Sequence, residues 1–144
     1  MGCGHGDLYR VLSDRFAGFD YVGIDQMQPF IDVAVKHYGE QNRAAFELGD
    51  FTADSLPQSD YVIASGALSY RCCEPDFIFK MLDKLFAACR IGFGFNLLSQ
   101  VDHADGILVA YDQAAILAYC QSMTSRVKLQ SSSVGDDFTV FLYR

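Results

Sequence analysis

Glycine occupies every second position at the start of the chain, in the order Gly2-Cys3-Gly4-His5-Gly6. The residues that follow have apolar side chains at helical spacing, so this segment lies where a loop enters a helix. Because glycine has no Cβ and tolerates a positive φ, such a loop brings bare backbone close to a ligand that carries polar groups. The pattern predicts a ligand-binding turn.

An acidic residue stands at the distance that such a turn requires. Asp25 lies 25 − 6 = 19 residues beyond Gly6 and directly follows the apolar run Tyr21-Val22-Gly23-Ile24. A carboxylate at the end of a second strand can accept hydrogen bonds from both hydroxyls of a ribose. Together, the loop and the strand-end acid predict a nucleoside-containing cofactor.

The spacing of the glycines disfavours a dinucleotide. NAD and FAD sites use the pattern G-x-G-x-x-G, whose last glycine lets the helix and strand pack closely beneath the pyrophosphate. Here Asp7 occupies that last position. Its carboxylate would face phosphate groups of the same charge, so we do not expect NAD or FAD.

The rest of the chain alternates short apolar runs with amphipathic segments. Four helices are predicted, at 7–16, from Pro29 to Tyr38, from Pro75 to Cys89 and from Asp112 to Met123. Six strands are predicted, at 21–25, 45–48, 60–64, 91–98, 127–130 and 138–143. This order is typical of an α/β Rossmann-like fold, with a mostly parallel sheet, helices on both faces and an antiparallel C-terminal strand.

Composition limits the class of protein and of partner. With 144 residues, 51% of them hydrophobic, the chain is expected to form a single domain over residues 1–144. The net charge is −7 and no basic cluster occurs, so nucleic acid is not expected as a partner. No apolar run approaches the roughly 18 residues that a membrane span needs, and the N-terminus does not have the pattern of a secretion signal.

The cysteines do not have the spacing of a metal site. The chain has five, with no C-x-x-C pair, and its three histidines lie far apart. We therefore expect no bound metal, and we expect reduced thiols in a cytoplasmic protein.

The glycine loop resembles the first motif of the class I S-adenosylmethionine-dependent methyltransferases, and the resemblance extends along essentially the whole chain. Four further segments resemble this family: Tyr21 to Asp25 its second strand with the ribose acid, Gly49-Asp50-Phe51 its adenine-contacting turn, Asp60 to Gly66 its fourth motif, and Asp137 to Tyr143 the closing strand of its small-molecule type. Phe95-Asn96-Leu97-Leu98 strengthens the last comparison.

The resemblance implies a role for each matched residue. It places Gly2, Cys3, Gly4 and Gly6 against the methionine part of S-adenosylmethionine, Asp25 on the ribose, Gln26 and Met27 at the adenine edge, Asp50 on the adenine amino group, Phe51 on the adenine ring, and the Ser65 carbonyl on the ammonium group. Tyr70 and Arg71 are candidates for contact with the acceptor. No catalytic base is assigned, because the sulfonium is already activated and in-line positioning supplies most of the rate.

Several of these residues have a structural alternative. Asp25 can be a solvated strand-end acid, Asp50 a cap for the following loop, and Phe51 an ordinary core residue. Cys3 is expected to pack rather than react, and His5 to be a polar loop residue rather than a base. An exposed structural role for Tyr70 and Arg71 is as plausible as contact with the acceptor.

The implied activity is methyl transfer to a small molecule. Ser65-Gly66-Ala67-Leu68 lacks the Asn/Asp-Pro-Pro-aromatic signature of enzymes that methylate amino groups of bases or glutamine. The alternative is a truncated, non-catalytic remnant of the methyltransferase fold, or an oligomeric binding module.

One part of the family pattern is missing from the sequence. The family's first strand, its acidic residue two positions before the first glycine, and the N-terminal helical segment would all precede Met1. Since that strand lies between the second and fourth, its loss would leave a gap of roughly 9–10 Å in the sheet. Three explanations remain open: a start internal to a longer protein, a fragment or degenerate copy that binds the cofactor weakly or not at all, or a sheet rearranged or completed by a partner chain.

The last explanation predicts a homo-oligomer, because unpaired strand edges favour pairing with another chain. Light scattering at low micromolar concentration should then give the mass of a dimer or a larger assembly. A stable, well-folded monomer would instead show that the gap is closed within the chain.

Overall fold

The computed structural model describes residues 1–103, 105–131 and 135–144. Helices and strands alternate through these residues, and they divide into two compact units, Met1–Ser55 and Leu56–Arg144. In chain order the elements are α1 (Asp7–Ser13), β1 (Tyr21–Asp25), α2 (Gln28–Tyr38), β2 (Ala44–Leu48), β3 (Ser59–Ala64), α3 (Phe77–Ala87), β4 (Cys89–Leu98), α4 (Gln113–Met123), β5 (Val127–Ser131) and β6 (Asp137–Tyr143).

The first unit contains a parallel pair of strands. β1 pairs with β2 in a register that sets Tyr21 opposite Ala44 and Asp25 opposite Leu48. The connection runs through α2, whose Pro29 lies in the first turn, where a missing N–H costs no hydrogen bond. This β-α-β order is the expected one.

An aromatic cluster fills the core of this unit. The Tyr9 ring of α1 lies 5.2 Å from Tyr21, 5.3 Å from Tyr38 and 6.0 Å from Phe46, measured between ring centroids. These separations are those of attractive tilted and edge-on aromatic pairs. Tyr9 is consequently only 7% exposed and connects α1 to both strands and to α2.

The expected inward face of the first helix is wrong in part. The predicted helix 7–16 has Val11 and Phe16 at the spacing of one buried face with Leu8 and Leu12. In the structure α1 ends at Ser13, and Val11 and Phe16 are 41% and 60% exposed. Phe16 lies beyond the last helical turn, and Tyr9 takes the inward position because the aromatic cluster accommodates its ring. Val35 of α2 follows the buried Ile31 by four residues, a spacing that predicts the same buried face, yet it is exposed as well.

The second unit contains a mixed sheet in the order β3-β4-β6-β5. β3 and β4 are parallel, and β6 runs antiparallel to both of its neighbours. One face is buried by alternate residues of adjacent strands: Val62, Phe93, Phe95, Val140 and Leu142. The α/β fold with a mostly parallel sheet and an antiparallel C-terminal strand is confirmed.

Two boundary predictions in this unit have different outcomes. Asp112 caps α4 as expected, since its Oδ1 accepts a hydrogen bond from Ala115 N at 2.7 Å. Cys89 was placed on the face of α3 but is the first residue of β4, because α3 ends at Ala87. Of the predicted polar connection 131–137, residues 132–134 lie outside the described part of the chain.

Within the described residues, β1-β2 and β3-β4-β6-β5 are two separately hydrogen-bonded sheets. None of the helices described above is long and apolar enough to cross a membrane. The five cysteines are free thiols.

The Arg144 side chain donates hydrogen bonds to the end of α3 and to the start of β4. Its Nη2 donates to the Phe86 carbonyl at 2.9 Å and its Nε donates to the Cys89 carbonyl at 3.1 Å. The guanidinium also lies 4.5 Å from the centre of the Phe86 ring. A cation at these carbonyls complements the negative end of the helix.

Arg144→Ala should lower the free energy of unfolding by about 1–2 kcal/mol, because two charge-assisted hydrogen bonds are lost. Arg144→Lys should recover only part of this loss, since a lysine cannot reproduce the forked geometry. Guanidinium denaturation followed by circular dichroism measures both.

Arg90→Ala is the matched control. Arg90 pairs with Asp60 at 2.8 Å on an exposed surface, so its removal should cost about 0.5 kcal/mol or less. An equal loss for Arg144→Ala and Arg90→Ala would contradict the capping role.

Candidate cofactor site

The glycine loop adopts a backbone conformation that favours glycine. Gly2, Gly4 and Gly6 have φ values of 64°, 53° and 86°, all in the left-handed region. A Cβ built on Gly6 would lie 3.0 Å from the Tyr38 ring, whereas one built on Gly4 would meet no atom within 4 Å. The loop therefore presents open space at Gly4 and close packing at Gly6.

Cys3 joins the loop to β1. Its N–H donates to the Ile24 carbonyl at 3.1 Å. A Cβ on Gly23 would lie 3.0 Å from Cys3 Sγ and 2.9 Å from the Phe46 ring, so Gly23 makes this approach feasible. Burial and the charge of Asp25 raise the pKa of the Cys3 thiol to about 11, which keeps it protonated and unreactive. These features fit the packing alternative for Cys3.

The Asp25 carboxylate connects two segments that the sequence separates. Its Oδ2 accepts a hydrogen bond from Gly4 N at 2.9 Å, and its Oδ1 accepts one from Met27 N at 3.0 Å. Asp25 is 7% exposed, so it is not a solvated strand-end acid. Each carboxylate oxygen has a second lone pair, which leaves capacity for further donors such as ribose hydroxyls.

Exposed side chains flank this carboxylate on the chain. Gln26 and Met27 are exposed, and Met27 precedes α2 directly. The His5 ring meets the Phe30 ring edge-on at 4.8 Å, which connects the glycine loop to the first turn of α2. The structure thus brings the glycine loop to Asp25 and Met27, and their contact with a cofactor stays a prediction.

Asp50 and Phe51 have the contacts of a turn residue and a core residue. Asp50 Oδ1 accepts from Thr52 N at 2.9 Å and from Thr52 Oγ1 at 2.6 Å, and Asp50 N donates to Asp54 Oδ2 at 2.8 Å. Phe51 is 7% exposed. The structural alternatives, a turn cap and a core residue, describe these contacts, and adenine contact stays a prediction.

In the second unit, Ser65 is exposed directly after β3. The next residue, Gly66, has a φ of 68°, and a Cβ there would meet no atom within 4 Å. Gly66 N donates to Asn96 Oδ1 at 2.7 Å, and Asn96 Nδ2 donates to Asp137 Oδ2 at 3.0 Å. Asn96 thereby holds the loop after β3.

Asn96 was not assigned a role from the sequence. The available signal was a lone amide inside the apolar strand β4, where a polar side chain needs a partner. The sequence does not identify that partner, because Gly66 lies 30 residues away.

Tyr70 and Arg71 lie on a short antiparallel pair. Tyr70 forms a β-bridge with Leu108, Arg71 N donates to the Ile107 carbonyl at 2.8 Å, and Arg71 Nε donates to the Gly106 carbonyl at 2.8 Å. The sequence predicted no helix or strand between Leu98 and Asp112 and assigned no role to residues 107–109. Their part in holding Tyr70 and Arg71 was missed.

Comparison with known proteins identifies the family. A family model described as a methyltransferase domain matches residues 1–92. The chain belongs to this methyltransferase family. It is also 31% identical over 134 residues to the candidate methyltransferase Rv1506c of Mycobacterium tuberculosis, an alignment that covers 88% of this chain and 79% of that protein.

A second relative and a solved structure agree with this assignment. Bovine acetylserotonin O-methyltransferase is 26% identical over 117 residues, which cover 74% of this chain and 30% of that protein. Magnesium protoporphyrin IX methyltransferase of Synechocystis, solved with bound SAH, superposes with a TM-score of 0.78 at 16% identity, covering 99% of this methyltransferase chain and 71% of that one. The superposition shows a shared fold.

Asp25→Asn should lower the free energy of unfolding by about 1–3 kcal/mol, because the asparagine amide presents a donor where Gly4 N or Met27 N needs an acceptor. Thermal denaturation measures the change. In the control Asp32→Asn, the asparagine oxygen can still accept from Gln28 Nε2, which lies 2.7 Å from Asp32 Oδ1 on the exposed face of α2. Equal losses of stability for the two variants would contradict the bridging role of Asp25.

Proposed function

We propose that this chain binds S-adenosylmethionine and transfers its methyl group to a small-molecule acceptor. The observation that carries the proposal is the hydrogen bond between Gly4 N and Asp25 Oδ2, at 2.9 Å. It joins the glycine loop to the strand-end acid in a chain that belongs to a methyltransferase family.

The residues of the first unit fit the cofactor. Left-handed glycines expose backbone, the space beside Gly4 is open, and the Asp25 carboxylate has lone pairs left for ribose hydroxyls. We assign Gly2, Cys3, Gly4 and Gly6 to the methionine part, Asp25 to the ribose, and Gln26 and Met27 to the adenine edge. Asp50 and Phe51 remain candidates for adenine contact.

In the second unit, Ser65 directly follows β3, and Asn96 lies in β4. The Ser65 carbonyl is proposed to accept from the cofactor's ammonium group, on a loop that Asn96 holds through Gly66. Parallel sheets bind ligands outside the carboxyl ends of their strands, which agrees with this location.

S-adenosylmethionine supplies the activated methyl group when it is bound, so the chain's own task is to bind and orient. The hydrogen bonds of Asp25 and Asn96 keep their loops in one conformation, and we assign no residue the role of a catalytic base. Bovine acetylserotonin O-methyltransferase is named for a small-molecule acceptor, which supports the substrate class proposed here. The net charge of −7 argues against a nucleic acid acceptor.

Gly4→Ala tests the cofactor proposal. The alanine methyl would occupy the open space beside the loop, so the affinity for S-adenosylhomocysteine should fall at least about tenfold. The free energy of unfolding should fall by only about 1–2 kcal/mol, the cost of a left-handed alanine. Calorimetric titration and thermal denaturation measure these two effects.

Gly18→Ala is the control. Gly18 also has a positive φ, 77°, and a Cβ there would lie no closer than 3.9 Å to Arg43, so it imposes a similar backbone cost away from the loop. Its affinity for S-adenosylhomocysteine should match the wild type. Absence of binding by the wild-type chain at millimolar ligand would overturn the proposal and favour a non-catalytic fold remnant.

A further inference from the structure

The short antiparallel pair of the second unit exposes two apolar side chains side by side. Val109 N donates to the Ser69 carbonyl at 2.9 Å and Arg71 N donates to the Ile107 carbonyl at 2.8 Å. These bonds flank Tyr70 and Leu108, which therefore form a non-hydrogen-bonded pair, the arrangement in which facing side chains lie closest together. Tyr70 is 53% exposed and Leu108 is 37% exposed.

Because side chains alternate between the two faces of a strand, the position of Ser69 determines the face on which Tyr70 and Leu108 lie. Ser69 is 7% exposed, and its Oγ accepts a hydrogen bond from Leu98 N, at 3.0 Å, at the end of β4. Neighbouring residues on a strand point to opposite faces. Tyr70 and its partner Leu108 consequently lie on the face away from this anchor.

Backbone hydrogen bonds attach this antiparallel pair to the carboxyl end of β4. Tyr111 N donates to the Leu98 carbonyl at 2.8 Å, which attaches the strand that carries Leu108 to β4. On the other strand, Arg71 Nε donates to the Gly106 carbonyl. The exposed side chains thus belong to an anchored element and not to a frayed loop.

We propose that Tyr70 and Leu108 form an acceptor surface that binds the ring of an aromatic methyl acceptor. The inference rests on the proposed function, which requires a small-molecule acceptor at the carboxyl ends of the strands. A tyrosine ring beside a leucine offers apolar area and an aromatic face, and a second ring stacks on such a face favourably. The predicted substrate class is therefore a small aromatic compound.

The test uses 2-naphthol as the probe, titrated into the full chain with saturating S-adenosylhomocysteine and followed by NMR. Tyr70→Ser and Leu108→Ser should each weaken binding of 2-naphthol by on the order of tenfold, because each removes apolar contact area. Tyr70→Phe keeps the ring and should bind as the wild type does. If a serine variant fails to fold, the NMR signals of Tyr70 and Leu108 in the wild-type chain test the proposal: they should shift when 2-naphthol is added, and unchanged signals contradict the acceptor surface.

Ile107→Ser is the control within the same element. Ile107 is 74% exposed but belongs to the opposite face, next to Arg71, so its removal should leave 2-naphthol binding within about twofold of the wild type. The acceptor surface is overturned if 2-naphthol does not bind, if Tyr70→Ser and Leu108→Ser bind it normally, or if Ile107→Ser weakens it equally.

Titration of S-adenosylhomocysteine alone separates this proposal from the proposed function. If the chain binds S-adenosylhomocysteine normally but substitution of Tyr70 or Leu108 leaves 2-naphthol binding unchanged, only the proposal of an acceptor surface is overturned. Failure to bind S-adenosylhomocysteine overturns the methyl-transfer function, and the acceptor role of this surface with it.

Discussion

The carboxylate of Asp25 accepts one hydrogen bond from the glycine loop and one from the residue before α2, and both donors are backbone N–H groups. A loop with three left-handed glycines has access to many conformations, so its composition alone does not select one. A largely buried carboxylate must be satisfied by donors, and hydrogen bonds to a charged acceptor contribute about 1.5–3 kcal/mol each. This requirement selects a single loop conformation and sets the start of the following helix.

Close packing beneath the loop depends on a second small residue. Because Gly23 has no side chain, Cys3 approaches β1 closely enough to donate to the Ile24 carbonyl. The neighbouring aromatic cluster around Tyr9 then fills the volume between α1, α2 and the two strands. The loop therefore has support from packing as well as from the hydrogen bonds of Asp25.

Features set by local pattern could be predicted from the sequence, whereas features set by distant partners could not. Apolar runs located the strands, and the glycine spacing with Asp25 located the loop and its acid. The inward position of Tyr9 could not be predicted, because periodicity does not reveal where α1 ends or which rings meet it. The same holds for Gly66 with Asn96 and for Tyr70 with Leu108, since each pair forms across more than 25 residues of intervening chain.

The order of strands in the second unit has a consequence for synthesis on the ribosome. β6 is the last strand in the chain, yet it lies between β4 and β5 and carries Asp137, the partner of Asn96. A nascent chain that has emerged only through β5 lacks the strand that joins β5 to β4. Asn96 can thus donate to Asp137 only after β6 has been synthesised and has paired with β4, so this hydrogen-bond network is completed later than the parallel pairing of β3 with β4.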